Sequence, residues 1–145
     1  MYLVRTTFWI ALLAIPLSVL GQNNAPRLDE PSVLRPAGYK AKYPANKPAI
    51  DRGRQLFNDA QLSTNGRACA SCHADAASFG AGFKQPYPHA AMNSKARFGV
   101  DTMNLDEVIQ VCMKGPMRNV PLEWGSPELT DMTTYLLKVQ STGKM

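Results

Sequence analysis

Residues Cys69-Ala70-Ser71-Cys72-His73 constrain this chain more than any other feature of its sequence. They place two of the chain's three cysteines on either side of two small residues, with an imidazole directly after the second thiol. Such a group can bind a cofactor, bind a metal ion or form a disulfide. A thioredoxin-like redox pair would lie in a βαβ pattern, which is not visible here. A structural zinc site would need four nitrogen or sulfur ligands, so Cys112 or His89 would have to contribute.

The Cys-x-x-Cys-His spacing is the attachment signature of haem c. One turn of backbone carries the two thiols to the two vinyl groups on one side of a porphyrin, and the following imidazole can then reach the iron. We therefore predict that Cys69 and Cys72 bind one haem c covalently and that His73 is an axial iron ligand. The porphyrin would also supply a large apolar centre, which a small folded domain needs.

The first 21 residues are typical of a signal peptide. Arg5 is the only charged residue before Arg27, and an apolar run from Thr6 to Leu20 ends in small residues, with Gly21 at the predicted cleavage site. The run is short for a bilayer span, which takes about 20 apolar residues. We expect export by the Sec route to the periplasm, as a soluble or loosely membrane-associated protein. Membrane attachment would require an uncleaved leader.

The charge of the chain bears on its partners. The formal net charge is +5, and removal of Arg5 with the leader leaves +4. No dense Lys/Arg block or recognition motif is present, which argues against nucleic-acid binding. A mild basic excess suits a soluble surface, and it also suits encounter with an acidic redox partner or attraction of an anionic substrate.

The remaining chain divides into an arm and a domain. Residues 22–48 contain five prolines and little apolar periodicity, so we predict an extended Pro-rich arm. Residues 49–145 form the predicted domain. Apolar periodicity, together with Asn104 and Glu107 as a capping box and Ser126 and Pro127 as a helix start, indicates a mainly α fold. The predicted helices are Ile50–Ala60, Leu105–Lys114 and Pro127–Gln140.

At this point the sequence resembles the c-type cytochrome family. Gly53-x-x-x-Phe57 before the cysteine motif, and the closing helix with Tyr135, are similar to the family's N- and C-terminal helix pair. The resemblance implies a small cytochrome c-type fold of three to five helices around one covalently bound haem.

The sixth iron ligand is open on sequence grounds. An electron carrier commonly uses Met, and Met117 lies in a loop at a suitable distance after His73. Cys112 lies on the apolar face of the second predicted helix, where a free cysteine can also be a small buried hydrophobic residue. Core packing is the expected role of Met113 and Met132, and we expect His89 to be solvent-exposed. The candidates are His89, Met92, Met103, Cys112, Met113, Met117 and Met132.

A second resemblance favours Cys112. The segments Tyr87-Pro88, Leu105–Cys112, Met117, Pro121-Leu122, Ser126–Leu129 and Thr133–Leu136 are similar to the haem domains of thiosulfate dehydrogenases and of the A subunit of the Sox sulfur-oxidation cytochrome. The resemblance implies that Cys112 is the distal haem ligand, near which sulfur chemistry occurs. Those enzymes usually pair two haems, whereas this chain has one attachment site. The basic residues of their substrate pocket are not matched, although Lys84, Lys95, Arg97, Lys114 and Arg118 are available.

Three functions follow from this sequence. The one we prefer is a periplasmic monohaem cytochrome that transfers single electrons within a sulfur-oxidation system, with other cytochromes or a sulfur-oxidising enzyme as partners. The second is an oxidoreductase acting on thiosulfate or related sulfur anions, with Cys112 as ligand and reaction site. The third is a structural subunit that lends its haem to a larger complex through the Pro-rich arm.

Overall fold

The structure is a computed structural model that describes residues 33–145. The predicted signal peptide and the first part of the predicted arm lie outside these residues. Four α-helices are present in the described part: α1 (Lys47–Phe57), α2 (Ser94–Phe98), α3 (Leu105–Lys114) and α4 (Pro127–Thr142). Short 3₁₀ helices occupy Ala60–Leu62, Cys69–Ser71, Ala76–Ser78 and Ala81–Lys84. There is no β-strand in residues 33–145, so the prediction of a mainly α fold is confirmed.

The two C-terminal helices begin where their capping residues predict. At α3 the Glu107 carboxylate accepts a hydrogen bond from the backbone N–H of Asn104 at 2.6 Å, which closes one half of the predicted capping box. At α4 the Ser126 hydroxyl accepts from the Leu129 N–H at 3.3 Å. Helix α4 continues to Thr142, two residues beyond the predicted end, and stops at Gly143, whose φ is +62°.

The predicted bounds of the first helix are wrong by three residues at each end. Helix α1 begins at Lys47 because the Asn46 side chain accepts a hydrogen bond from the Ala49 N–H at 3.0 Å and Pro48 suits a first helical turn. It ends at Phe57, since the backbone N–H of Asn58 closes the last turn. Ala60 therefore belongs to a separate 3₁₀ helix.

The main core lies between α1, α3 and α4. Helices α1 and α4 approach closely at Gly53, where an added Cβ would lie 2.1 Å from the backbone oxygen of Asp131. The Phe57 ring meets the Tyr135 ring edge-on with a centroid distance of 5.5 Å. A second, smaller cluster lies on another face of α3 and contains Val33, Phe98, Met103 and Val111. Helix α3 is thus held on two sides.

The segment before α1 is bound to the N-terminal turn of α3. The Asp106 side chain is fully buried and forms an ion pair with Arg35, with Nη2 and Oδ2 3.0 Å apart. The Tyr43 hydroxyl donates to the same Oδ2 at 2.6 Å, and the backbone N–H of Arg35 donates to the Glu107 carboxylate at 2.9 Å. Buried charges are stable only when paired and hydrogen-bonded, so these contacts fix residues 35–43 against α3.

A search of residues 33–145 for membrane spans found no helix with the length and apolar character needed to cross a bilayer.

Candidate haem-binding site

An apolar cavity of about 350 Å³ opens between the 3₁₀ helix Cys69–Ser71, the loop that follows it, α3 and α4. Cys69, Cys72, His73 and Cys112, the four side chains predicted to bind the cofactor, all line this cavity. Its other walls are mostly aliphatic and aromatic and include Phe57, Leu105, Ile109, Met132 and Leu136. Such walls suit a flat apolar group held by a few polar side chains.

The attachment cysteines lie on one tight turn. The backbone N–H groups of Cys72 and His73 both donate to the carbonyl oxygen of Cys69, at 3.2 and 3.0 Å. Cys69 is partly buried, and burial raises the pKa of its thiol to about 12, with the nearby Cys112 contributing in the same direction. Cys72 is exposed. The turn therefore presents one thiol at the cavity wall and one at its rim.

The alternative uses of the motif lack the required geometry. The cysteines at positions 69, 72 and 112 are all free, so no disulfide joins them. Among residues 33–145, no group of three or more His, Cys, Asp or Glu side chains is arranged to hold a metal ion by itself. The four ligands of a structural zinc site are thus not brought together.

The His73 imidazole is partly buried and has one ring nitrogen without a hydrogen-bond partner. Its ring stacks on Phe79 with a centroid distance of 4.2 Å, and Phe79 stacks on Phe83 at 4.0 Å. Burial lowers the pKa of His73, and its Nδ1 is buried without a hydrogen-bond partner. A neutral imidazole is the form that binds a metal.

Cys112 faces the cavity from α3 and, like Cys69, is partly buried. Burial raises the pKa of its thiol, the nearby Cys72 adds to this effect, and the positive charge of Arg97 opposes it. Tyr87 lies near enough for the charge of Cys112 to contribute to its raised pKa of about 12, of which burial is the larger cause. Burial therefore disfavours a thiolate at position 112 unless a further positive charge lies beside it.

The methionines separate into distinct groups. Met103 is fully buried in the second cluster and does not line the cavity. Met113 and Met132 belong to the main core, as packing predicts, and also reach the cavity wall. Met92 lines the cavity but is 37% exposed. Met117 is buried at the cavity wall, with its sulfur 3.7 Å from the sulfur of Cys69.

These observations fit a covalently held haem. Two thiols stand on one turn at the cavity wall, an unpaired imidazole nitrogen follows them, and a third thiol enters from another helix. A protein-family model described as SoxA/TsdA, cytochrome c domain, matches residues 52–145, which is well over half of the chain. The chain belongs to the SoxA/TsdA cytochrome c family. It is thus a c-type cytochrome of a sulfur-oxidation family, and its cofactor is covalently bound haem c. Comparison with curated proteins and comparison with solved structures found no match.

In this member of the SoxA/TsdA family, the predicted exposure of His89 is wrong. Its backbone forms an isolated two-bond bridge with the buried Met103, with N···O distances of 3.2 and 2.9 Å. The His89 side chain lines the cavity, and its Nε2 is buried without a partner. The bridge joins residues 14 positions apart without strand periodicity, so the sequence offers no local sign of it.

The sequence prediction misses other cavity residues: Phe79 and Phe83 lie in the aperiodic segment after the motif, and Arg67 lies just before it. The stacked rings of Phe79 and Phe83 support His73, and a spacing of four between two aromatic residues was the available sign of this support. Arg67 lines the cavity although the sequence did not single it out. The basic residues that it did single out are not among the lining residues: Lys84, Lys95, Arg97, Lys114 and Arg118.

Proposed function

We propose that this protein is a periplasmic monohaem cytochrome that transfers single electrons within a sulfur-oxidation system. The observation that carries the proposal is that Cys69, Cys72, His73 and Cys112 line one apolar cavity. Cys69 and Cys72 would hold the haem by thioether bonds, and His73 and Cys112 would bind its iron. Its partners are other cytochromes or a sulfur-oxidising enzyme that present an acidic surface to this basic chain.

The position of Met117 supports Cys112 as the distal ligand. Met117 contacts the sulfur of Cys69 at 3.7 Å. A thioether sulfur lies at the edge of a porphyrin, whereas an axial ligand must reach its centre. Met117 therefore suits packing beside the attachment bond. Cys112 makes no hydrogen bond in the described structure that would compete with iron coordination, and its side chain already faces the cavity.

The bound haem supplies an iron that takes up and releases one electron. The surrounding apolar side chains exclude water from it, and His73 keeps its orientation through the Phe79 and Phe83 stack. Cys112 contributes an anionic sulfur that favours the ferric state and lowers the reduction potential. We thus expect a carrier of low-potential electrons.

A redox titration followed by visible absorption tests this proposal. Wild-type protein should titrate as a one-electron centre, and Cys112→Ala should have a higher midpoint potential because an anionic ligand is lost. Met117→Ala is the matched control and should leave the potential near that of wild type. A potential that shifts in Met117→Ala and stays constant in Cys112→Ala would overturn the assignment of Cys112.

The second candidate function is an oxidoreductase that acts on thiosulfate or a related sulfur anion. The positive charge of Arg97, which acts on the Cys112 thiol, favours it, because such a charge near a sulfur suits an anionic substrate. The assay is tetrathionate formation from thiosulfate with an artificial electron acceptor. Turnover by wild type that is lost in Cys112→Ala supports the enzyme, whereas no turnover in either protein supports the carrier.

A further inference from the structure

The His89 side chain is partly exposed at the cavity wall, but its Nε2 atom is buried there without a hydrogen-bond partner. Its Nδ1 lies 3.2 Å from the backbone oxygen of Pro86. A carbonyl oxygen only accepts hydrogen bonds, so Nδ1 must carry a proton. In the neutral imidazole Nε2 then holds a free lone pair, and this atom is buried with no hydrogen-bond partner.

This arrangement is the one that a metal-binding histidine adopts. A ligating imidazole usually donates its other N–H to a backbone carbonyl or carboxylate, which fixes both the tautomer and the ring orientation. Pro86 provides that carbonyl, and the backbone bridge to Met103 fixes the main chain of His89. The Tyr87 ring lies beside the imidazole with a centroid distance of 4.3 Å and further restricts it.

The backbone of Gly82 lies beside Nε2. A Cβ added to Gly82 would lie 3.6 Å from Nε2, in van der Waals contact with it. Gly82 itself lines the cavity. A buried acceptor without a partner costs free energy, and in this position its available partner is the occupant of the cavity.

We propose that His89 Nε2 is a reserve distal ligand, which binds the haem iron when the Cys112 sulfur is absent or released. The inference rests on the proposed function, in which Cys112 is the resident ligand. On release, the Cys112 thiolate takes up a proton and the neutral imidazole replaces it, so the exchange needs no oxidant or reductant. It replaces an anionic ligand with a neutral one and therefore raises the reduction potential.

The test is electron paramagnetic resonance of the oxidised, haem-loaded protein in four forms. Wild type should give a low-spin thiolate signal, and Cys112→Ala should give a low-spin signal of two nitrogen ligands. Cys112→Ala/His89→Ala should become high-spin, whereas the matched control Cys112→Ala/Met117→Ala should keep the two-nitrogen signal. A high-spin Cys112→Ala, or a double variant lacking His89 that stays low-spin, overturns the proposal.

Free imidazole shows whether the cavity of the double variant is intact and measures the contribution of His89. It should restore a two-nitrogen signal in Cys112→Ala/His89→Ala. The apparent Kd for imidazole should be at least about tenfold weaker for Cys112→Ala than for Cys112→Ala/His89→Ala. If His89 binds the iron in nine of ten molecules of the single variant, only one in ten is free to bind imidazole. Equal affinities for the two variants would contradict the proposal.

Failure of the proposed function gives a different result. If the signal of wild type is unchanged in Cys112→Ala, the thiolate assignment fails. The single variant His89→Ala then decides the inference: loss of the wild-type signal supports His89 as a nitrogen ligand, and its retention overturns that role.

Discussion

Replacement of Gly53 by alanine should destabilise the protein although alanine is the better helix former. A Cβ at position 53 would lie 2.1 Å from the Asp131 carbonyl oxygen, about 1.3 Å short of the 3.4 Å at which ordinary contact begins. It would also lie 2.6 Å from the Cβ of Tyr135. Both atoms belong to α4 and neither can rotate away, so α1 and α4 must move apart.

The two opposing effects can be compared in size. Overpacking a well-packed core costs about 1–3 kcal/mol, and a clash with backbone belongs near the upper limit. Alanine recovers about 1 kcal/mol over glycine within a helix. We therefore expect Gly53→Ala to lower the free energy of unfolding by about 2 kcal/mol.

Guanidinium denaturation of the haem-loaded protein, followed by far-UV circular dichroism, measures this change. Gln55→Ala is the matched control, since Gln55 is exposed on the same helix and its substitution should change stability by less than about 0.5 kcal/mol. If Gly53→Ala equals or exceeds wild type in stability, the close approach of α1 and α4 at this position is refuted.

Three further predictions concern the contacts that hold α3. Tyr43→Phe should lose about 1.5–3 kcal/mol of stability in denaturation, because the Tyr43 hydroxyl donates to the buried Asp106 carboxylate. The control Tyr39→Phe should lose less than half as much, and equal losses would contradict the prediction. Burial raises the pKa of Tyr43 above its ordinary value of 10.0, so the protonated phenol stabilises the fold and this contribution is lost as pH rises above 10.0. In thermal melts above that pH, Tyr43→Phe should therefore lose less stability than wild type. Identical pH profiles of the two proteins would exclude the effect. Gln110→Met should lose about 1–3 kcal/mol of stability in the same denaturation assay. The buried amide of Gln110 forms hydrogen bonds with both the N–H and the carbonyl oxygen of Leu122, at 2.8 and 2.6 Å. An unchanged unfolding midpoint would show that these bonds contribute nothing.

The sequence predicts those parts of the fold that depend on neighbouring residues. The bounds of α3 and the start of α4 follow from Asn104, Glu107 and Ser126, whose capping bonds span three residues. The predicted start of the first helix is wrong because the cap, Asn46, is followed by Lys47 and a proline rather than directly by an apolar run. Local rules therefore succeed where the cap and the apolar period coincide.

The missed features depend on contacts between distant residues. The ion pair of Arg35 and Asp106 joins positions 71 apart, and no periodicity of the sequence predicts it. The proline- and alanine-rich loop around His89 predicts an exposed side chain, yet His89 pairs with the distant Met103 and lines the cavity. The cysteine motif was the exception, because covalent attachment needs only a local turn.

Intact-protein mass spectrometry tests most directly whether one haem is covalently attached through Cys69 and Cys72. The protein is produced in cells that mature c-type cytochromes, denatured and then alkylated. We expect the mass of the chain plus one haem, retained after denaturation, with Cys112 as the single alkylated cysteine. A haem-free chain in which Cys69, Cys72 and Cys112 are all alkylated would contradict it.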